Sequence, residues 1–322
     1  DLRRLSLGQV QTLDWSTGDA ADVDVAALAD MITSRDGLVL TSLNLRNNQG
    51  ITNDNQLLQL ARSHLPLIML NIDGTSVDAE SAVVIAGRVR QHRLQPEVDA
   101  VANNSLGARL DWSSQHISDD DVDRLIAALP SNSTLTNILL QGNAEVTDAS
   151  LDRLAAVVGP NSDRQGGGCL ASVRSCSVAT VLLTNTGASD EAKSRLARSI
   201  DLRRLSLGQL HTLDWSTGDV ADADVVALST MLRRSNDCVL TDLNLSTNQG
   251  IQDGAAIGRL ITSHSSLHNV NVDGTGLDDG AAQAVGAAAR RNRLQREVDA
   301  VANNSLGARL DWSSKNISDD DV

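Results

Sequence analysis

The sequence predicts a repetitive α/β protein in which short strands alternate with helices. The segment that begins at Asp1 recurs at Asp201, and 72 of the 122 positions that can be compared are identical. A shorter pattern of alternating leucines recurs about every 30 residues inside this long repeat. The 322 residues include four Trp and neither Phe nor Tyr. So few aromatic rings indicate stacked layers of aliphatic side chains rather than one large globular core.

The strand of each unit is predicted from an alternation of apolar and polar residues. In the segment LTSLNLRNNQGIT, which begins at Leu40, leucines alternate with polar residues and a turn follows. The same pattern begins at Leu135 and at Leu240. An alternation with a period of two predicts a short strand with one buried face.

A helix is predicted after each strand. The segments DDDVDRLIAAL, from Asp119, and DASLDRLAAVV, from Asp148, place apolar residues three and four positions apart, as in an amphipathic helix. Ser118 can cap the first turn, and the carboxylates that follow complement the positive end of the helix dipole. The acidic clusters lack the spacing of an EF-hand, so we predict no calcium site in them.

The units are of three types that follow one another in a fixed order. The first type has Trp at the second inward strand position, the second has Asn in the turn after the strand, and the third has Thr in that turn. These residues are Trp15, Trp112, Trp215 and Trp312, then Asn48, Asn143 and Asn248, and then Thr75, Thr186 and Thr275. We predict that the Trp side chains fill the core and bond the backbone of a connector, and that the Asn and Thr side chains satisfy turn backbone groups.

Each third-type unit is followed by a segment that breaks the pattern, and we predict an irregular connector there. Examples are LQPEVDAVANNSLGA, from Leu94, and IDLRRLSLGQ, from Ile200. Three units and a connector make a module of about 100 residues, and two modules make the long repeat. We therefore predict one continuous solenoid over 1–322, with modules at about 1–97 and 98–200 and a truncated second repeat at 201–322. Both ends fall inside the pattern, so we expect the array to continue beyond them.

These units resemble leucine-rich repeats, specifically the helix-bearing repeats of ribonuclease inhibitor and of the tropomodulin cap domain. The resemblance rests on the LxxLxL strand pattern and the turn Asn, and it covers nearly the whole chain. It implies a leucine-rich-repeat solenoid with parallel strands on the concave face and helices on the convex face, built from about ten units in three-unit modules. The connectors lead us to expect a segmented superhelix.

The residues that point outward from the strands are the candidate contacts. Between the two inward positions of each unit lie mostly small polar residues, and the candidates are Asn44, Asn71, Leu139, Leu182, Asn244 and Asn271. This row lacks the Trp, Tyr and Arg that dominate protein interfaces and the aromatic rings that stack on single-stranded nucleic acid. A net charge of −14 also disfavours nucleic acid as a partner.

The remaining motifs give few further sites. Cys169 and Cys176 are close enough in sequence to form a disulfide, and a secreted location is weakly favoured by the glycosylation sequons at Asn103, Asn132, Asn303 and Asn316. A fifth sequon, at Asn244, lies within a predicted strand. The His, Ser and Cys residues form no catalytic constellation, and we predict no enzyme, no cofactor, no metal site and no membrane insertion.

Two functions follow from these observations. The long repeat predicts a structural protein that forms an extended array or filament, such as a surface appendage, by stacking of modules end to end. Its partners would then be further copies of the same array, because head-to-tail contacts that do not close produce filaments. The alternative is a scaffold that binds another protein on its concave or convex face.

Overall fold

Strands and helices alternate along the chain in the computed structural model, which describes residues 5, 9–16, 18–34, 39–63, 67–159, 177–216, 218–233 and 239–302. The strands within these ranges are β1 (Thr12–Asp14), β2 (Ser42–Asn44), β3 (Met69–Asn71), β4 (Arg109–Asp111), β5 (Asn137–Leu139), β6 (Thr180–Leu182), β7 (Thr212–Asp214), β8 (Asp242–Asn244) and β9 (Asn269–Asn271). The helices are α1 (Asp22–Thr33), α2 (Asp54–Arg62), α3 (Ala79–Ala102), α4 (Asp119–Ala128), α5 (Asp148–Val158), α6 (Asp190–Ser206), α7 (Asp222–Leu232), α8 (Gly254–Ser263) and α9 (Asp279–Ala302). A 3₁₀ turn, Leu129–Ser131, follows α4.

The strands form three parallel sheets of three strands each, in the orders β1-β2-β3, β4-β5-β6 and β7-β8-β9. Leu13, Leu43 and Leu70 are in register across the first sheet. A helix connects each strand to the next in its sheet, because parallel neighbours require a crossover. Each sheet contains one unit of each of the three sequence types. The predicted alternation of short parallel strands and helices is therefore confirmed.

One face of each sheet is buried against the helices and the other is open. In the first sheet, Leu13 and Leu43 pack in one cluster with Val25, Leu28 and Leu57 of the following helices. The first and third residues of β1, β4 and β7 are exposed on either side of a buried leucine. Three residues are enough for such a strand, because only its central side chain enters the core.

The prediction of irregular connectors is wrong for the first part of each segment, and only 103–108 and 207–209 lie outside helices and strands. The segment from Leu94 continues α3 as far as Ala102, and Ile200 lies within α6. Leu94, Val98 and Val101 are buried, and their spacing of four and three residues forms one helical face. In the second copy Arg296 replaces Pro96, yet α9 spans the same 24 positions of the repeat as α3. In α9 the corresponding Leu294 is buried, whereas Val298 and Val301 are 41 % and 43 % exposed, so the helix continues there without burial of the whole face.

The chain divides into two compact units, Asp1–Ala100 and Val101–Val322. The first unit contains the sheet β1-β2-β3, and the second contains the other two sheets. Among the described residues, no helix combines the length and the apolar character needed to cross a membrane. Trp312, Asn303, Asn316 and the Cys169–Cys176 pair lie outside the described residues.

Candidate functional site

The three turn asparagines are fully buried and join neighbouring repeats. Asn48 Nδ2 donates to Trp15 O of the preceding repeat and to Leu45 O of its own turn, at 2.8 and 2.7 Å. Its Oδ1 accepts from Ala20 N at 2.8 Å. Asn143 and Asn248 make the equivalent bonds in the second unit. One amide thus satisfies both donors and acceptors in a place that water does not reach.

The turn threonines make a more local bond. Thr75, Thr186 and Thr275 each donate to the carbonyl oxygen three residues earlier, at 2.7 to 2.9 Å. From this turn position the threonine hydroxyl bonds within its own turn, whereas the asparagine amide also bonds the preceding repeat. The third-type units are therefore held to their neighbours by other groups, such as Ser76 Oγ, which donates to Gln49 O at 2.8 Å.

The tryptophans differ in burial. Trp112 and Trp215 are 0 % and 2 % exposed, whereas Trp15 is half-buried. The indole Nε1 of Trp215 donates to a carboxylate oxygen of Asp201 on α6 at 3.2 Å. The predicted acceptor was a backbone group of the connector, but in the structure the acceptor is the side chain of Asp201. Burial raises the pKa of Asp201, and the indole bond opposes that rise.

The first residue of several helices forms a contact that the sequence analysis missed. Asp22, at the start of α1, accepts from Thr52 N and Asn53 N at the start of α2, at 2.8 and 2.9 Å. Asp119, Asp148 and Asp222 bond the start of the next helix in the same way. We call these four contacts the aspartate bridges. They satisfy backbone N–H groups at helix starts and also attach each repeat to the next.

The open face of the strands is a ladder of carboxylates and amides. Asn44 Nδ2 donates to Asp14 Oδ1 at 3.1 Å, and its copy Asn244 donates to Asp214 at 3.0 Å. The open face of the middle sheet differs, because Arg109 forms an exposed ion pair with Asp111 at 2.7 Å. The three open faces therefore differ in charge.

Several predicted contact residues lie on this face. Asn44, Asn71 and Asn244 are half-buried, and Asn271 is exposed. Leu182 is 44 % exposed on the outer strand β6. Leu139 is only 7 % exposed, because it lies on the middle strand between Asp111 and Leu182. Leu139 therefore offers little surface to a partner, contrary to its selection as a contact.

A groove of about 810 Å³ covers the open face of β7-β8-β9. Asp214, Asp242 and Asp273 contribute carboxylates to it, and Asn244, Asn269 and Asn271 contribute amides. None of the described residues that line it is Lys, Arg or His. The groove therefore has a polar and negatively charged surface.

The two carboxylates on the strands of this groove are held in the ionised form. The side chain and the backbone of Ser216 bond to Asp214 and lower its pKa, and Asn244 adds to the effect. The hydroxyl of Thr241 and the amide of Asn269 lower the pKa of Asp242. Both groups remain charged at neutral pH, where they attract a cation.

Asp242 and Asn269 are site residues that the sequence analysis missed. They occupy the first position of β8 and β9, whereas the analysis considered only the third position. In a strand, residues two apart share a face, so the alternation itself could have identified them. Asp273 lies in the turn after β9, beyond the strand pattern.

The sequon at Asn132 is incompatible with glycosylation in the folded chain. Asn132 is 1 % exposed, its Nδ2 donates to Val101 O at 2.6 Å, and its Oδ1 accepts from Leu135 N at 2.7 Å. The prediction at Asn132 is wrong, because the amide holds the 3₁₀ turn against α3. Asn103 is exposed after the end of α3.

No protein-family model matches the chain, and no curated protein sequence does so. Among solved structures, the chain is similar to the actin-binding site 2 of leiomodin-1, at 12 % identity over 66 % of this chain and 96 % of that one, with a TM-score of 0.25. It is also similar to the tropomodulin C-terminal domain of Caenorhabditis elegans, at 11 % identity over 65 % and 98 %, with a TM-score of 0.27. An internalin of Listeria monocytogenes matches at 16 % identity over 88 % and 86 %, with a TM-score of 0.24. These values are too low to transfer a function or a contact residue to this chain.

Proposed function

We propose that this chain is a protein-interaction scaffold that binds a basic segment of a partner protein in the groove over β7-β8-β9. The observation that carries the proposal is the set of three carboxylates, Asp214, Asp242 and Asp273, in a lining without a basic residue. Charge complementarity of this kind speeds association and excludes acidic partners. The proposal assigns no catalytic activity to the chain.

The first copy of the repeat provides a natural comparison for this groove. Asp242 corresponds to Ser42, Asn269 to Met69 and Gln283 to Val83. Met69 and Val83 are 59 % and 70 % exposed. The corresponding surface of the first unit is therefore less acidic and more apolar, although its strands have the same register.

The test measures binding of a fluorescent peptide rich in lysine and arginine, with a glutamate-rich peptide as its charge-reversed counterpart. Asp214→Asn, Asp242→Asn and Asp273→Asn keep the shape of each side chain and remove its charge. Each exposed charge is worth roughly a two- to fivefold change in affinity. We expect the triple variant to lose most of the binding and most of its salt dependence.

Asp120→Asn is the matched control, because it removes the same charge from an exposed position on α4 outside the groove. If Asp120→Asn weakens binding as much as Asp242→Asn, the groove is not the site. Equal binding of the basic and acidic peptides by the wild-type chain would contradict the proposal altogether.

A structural array is the second candidate, and the 200-residue duplication favours it. Repetition at 72 of 122 positions suits a surface that stacks on further copies of itself. Sedimentation velocity over a wide range of protein concentration tests this function. Growth of the sedimentation coefficient with concentration is the expected result, whereas monomers throughout would argue against an array.

A further inference from the structure

Among the described strands, β9 pairs with β8 on one side and with no strand on the other, and this unpaired edge lies in the groove. Asn269 N donates to Thr241 O at 3.2 Å, and Asn271 O accepts from Leu245 N at 2.8 Å. These groups therefore face β8. Since the backbone groups of successive strand residues point to opposite sides, the N–H and carbonyl of Val270 face away from β8. In the described part of the chain, no strand pairs with this side of β9.

The groove extends around this open edge. Its lining includes Asn269 and Asn271 on the open face and Val270 with Ala282 and Gly286 on the side of α9. A Cβ atom added to Gly286 would meet no atom within 4 Å. There is consequently space for side chains on both faces of one more strand beside β9.

We propose that the partner segment binds as a parallel strand added to the edge of β9. This inference rests on the proposed function and specifies how the basic segment lies in the groove. Its backbone would pair with the N–H and carbonyl of Val270, at the usual spacing of about 4.8 Å between strands. Binding by strand addition draws affinity from the backbone and specificity from alternate side chains.

The two faces of the added strand select different side chains. Residues on the open face lie beside Asn269 and Asn271 and within reach of the carboxylates of Asp242 and Asp273, so lysine or arginine fits there. Residues on the other face point to Ala282 and Gly286, where small apolar side chains fit. The preferred segment alternates basic residues with alanine or valine.

The outer strand of the first sheet, β3, presents its backbone in the same way. In β3, Met69 N donates to Thr41 O and Asn71 O accepts from Leu45 N, so the backbone groups of Leu70 face outward. The segment after α3 contributes β4 to a separate sheet. Since Met69 and Val83 replace Asn269 and Gln283, the edge of β3 favours an apolar segment instead.

The decisive experiment uses a capped peptide that alternates lysine with alanine, titrated by fluorescence anisotropy. Two further versions carry N-methyl groups on alternate residues, one on the lysines and one on the alanines. In an added strand only every second N–H faces β9, so one version should lose at least about fivefold in affinity and the other should change less than about twofold. Equal effects of the two versions would overturn strand addition.

Two protein variants test the same inference from the other side. Gly286→Leu fills the space beside α9 and should weaken binding by about tenfold. Gly258→Leu is its matched control, because Gly258 also has no atom within 4 Å of an added Cβ but lies on α8 outside the groove. Circular dichroism and urea unfolding establish that both variants are folded.

The failure of this inference can be distinguished from that of the proposed function. The variant Asp242→Ser/Asn269→Met/Gln283→Val gives the groove the three residues of the first unit that make its surface less polar, and it should lose the basic peptide. If it does, and both N-methylated peptides bind like the parent, the basic groove stands and strand addition is wrong. If the wild-type chain binds no basic peptide, both proposals are wrong.

Discussion

Replacement of Asn143 by leucine removes a buried amide without creating a large cavity. The amide bonds four main-chain groups: Gln115 N and Ile117 N at 3.0 Å, Trp112 O at 2.8 Å and Leu140 O at 2.7 Å. An unsatisfied buried group costs about 1–3 kcal/mol. At about 1 kcal/mol for each of the four main-chain groups, the variant should lose about 4 kcal/mol of unfolding free energy. This is a large share of the roughly 5–15 kcal/mol that stabilises a typical domain.

Urea unfolding followed by far-UV circular dichroism measures this loss. Asn137→Leu is the control in the same repeat, because Asn137 is half-buried on the open face of β5; it should cost less than about 1 kcal/mol. Similar midpoints for the two variants would refute the reasoning, since they would show that the four main-chain groups find other partners.

The carboxylate variant Asn143→Asp examines the electrostatic side of the same site. The second carboxylate oxygen of the new Asp side chain would face Trp112 O and Leu140 O, to which the amide now donates. Burial beside these carbonyl oxygens raises the pKa of the carboxyl group. A raised pKa in the folded state favours folding at low pH and loses that contribution as the pH rises. The deficit of Asn143→Asp should therefore be larger at neutral pH than in acid, whereas that of Asn143→Leu should be the same at both.

Three other predictions concern single side chains. Burial raises the pKa of Asp201 above 3.8, so its charge opposes folding at higher pH, and Asp201→Asn should raise the urea midpoint at neutral pH but not in acid. Backbone bonding to Asn53 lowers the pKa of Asp22 below 3.8, so wild-type stability falls as the pH drops through that lowered pKa, and Asp22→Asn should flatten this fall. Trp112→Ala should cost roughly 3–5 kcal/mol in urea unfolding, and Trp15→Ala roughly 1–2 kcal/mol, because Trp15 is half-buried.

Each of these predictions has a contrary result. A constant difference between Asp201→Asn and the wild type across the pH range would mean that the carboxyl is not disfavoured by burial. If the stability of Asp22→Asn falls at low pH as steeply as that of the wild type, the backbone bonds to Asp22 do not stabilise the fold. Equal costs at the two tryptophans would show that burial does not set their contribution.

The sequence predicted those parts of the fold that depend on local patterns. The alternation around Leu43 and Leu243 placed the strands, and the position of Asn48 relative to Leu45 identified a turn amide. The helical ends of α3 and α6 were missed because the segments after the third-type units break the strand pattern and were predicted to be irregular, although Leu94, Val98 and Val101 have the spacing of one helical face.

The site was predicted less completely than the fold. The alternation along each strand predicted that residues such as Asn244 and Asn271 point outward. The groove, in contrast, depends on which strand is the outermost in its sheet. Nothing in the sequence around Val270 distinguishes β9, which pairs with a described strand on one side only, from β8, which pairs with strands on both sides. The burial of Leu139 similarly depends on the strands on either side.

The aspartate bridges give the chain a direction. In each bridge the carboxylate lies on the earlier repeat and the N–H groups lie on the later one; Asp222, for example, precedes Gln252 by 30 residues. During synthesis, every acceptor leaves the ribosome before the donors that need it. A newly made helix start therefore meets a carboxylate already in place, and we expect the repeats to become ordered in sequence from the amino terminus.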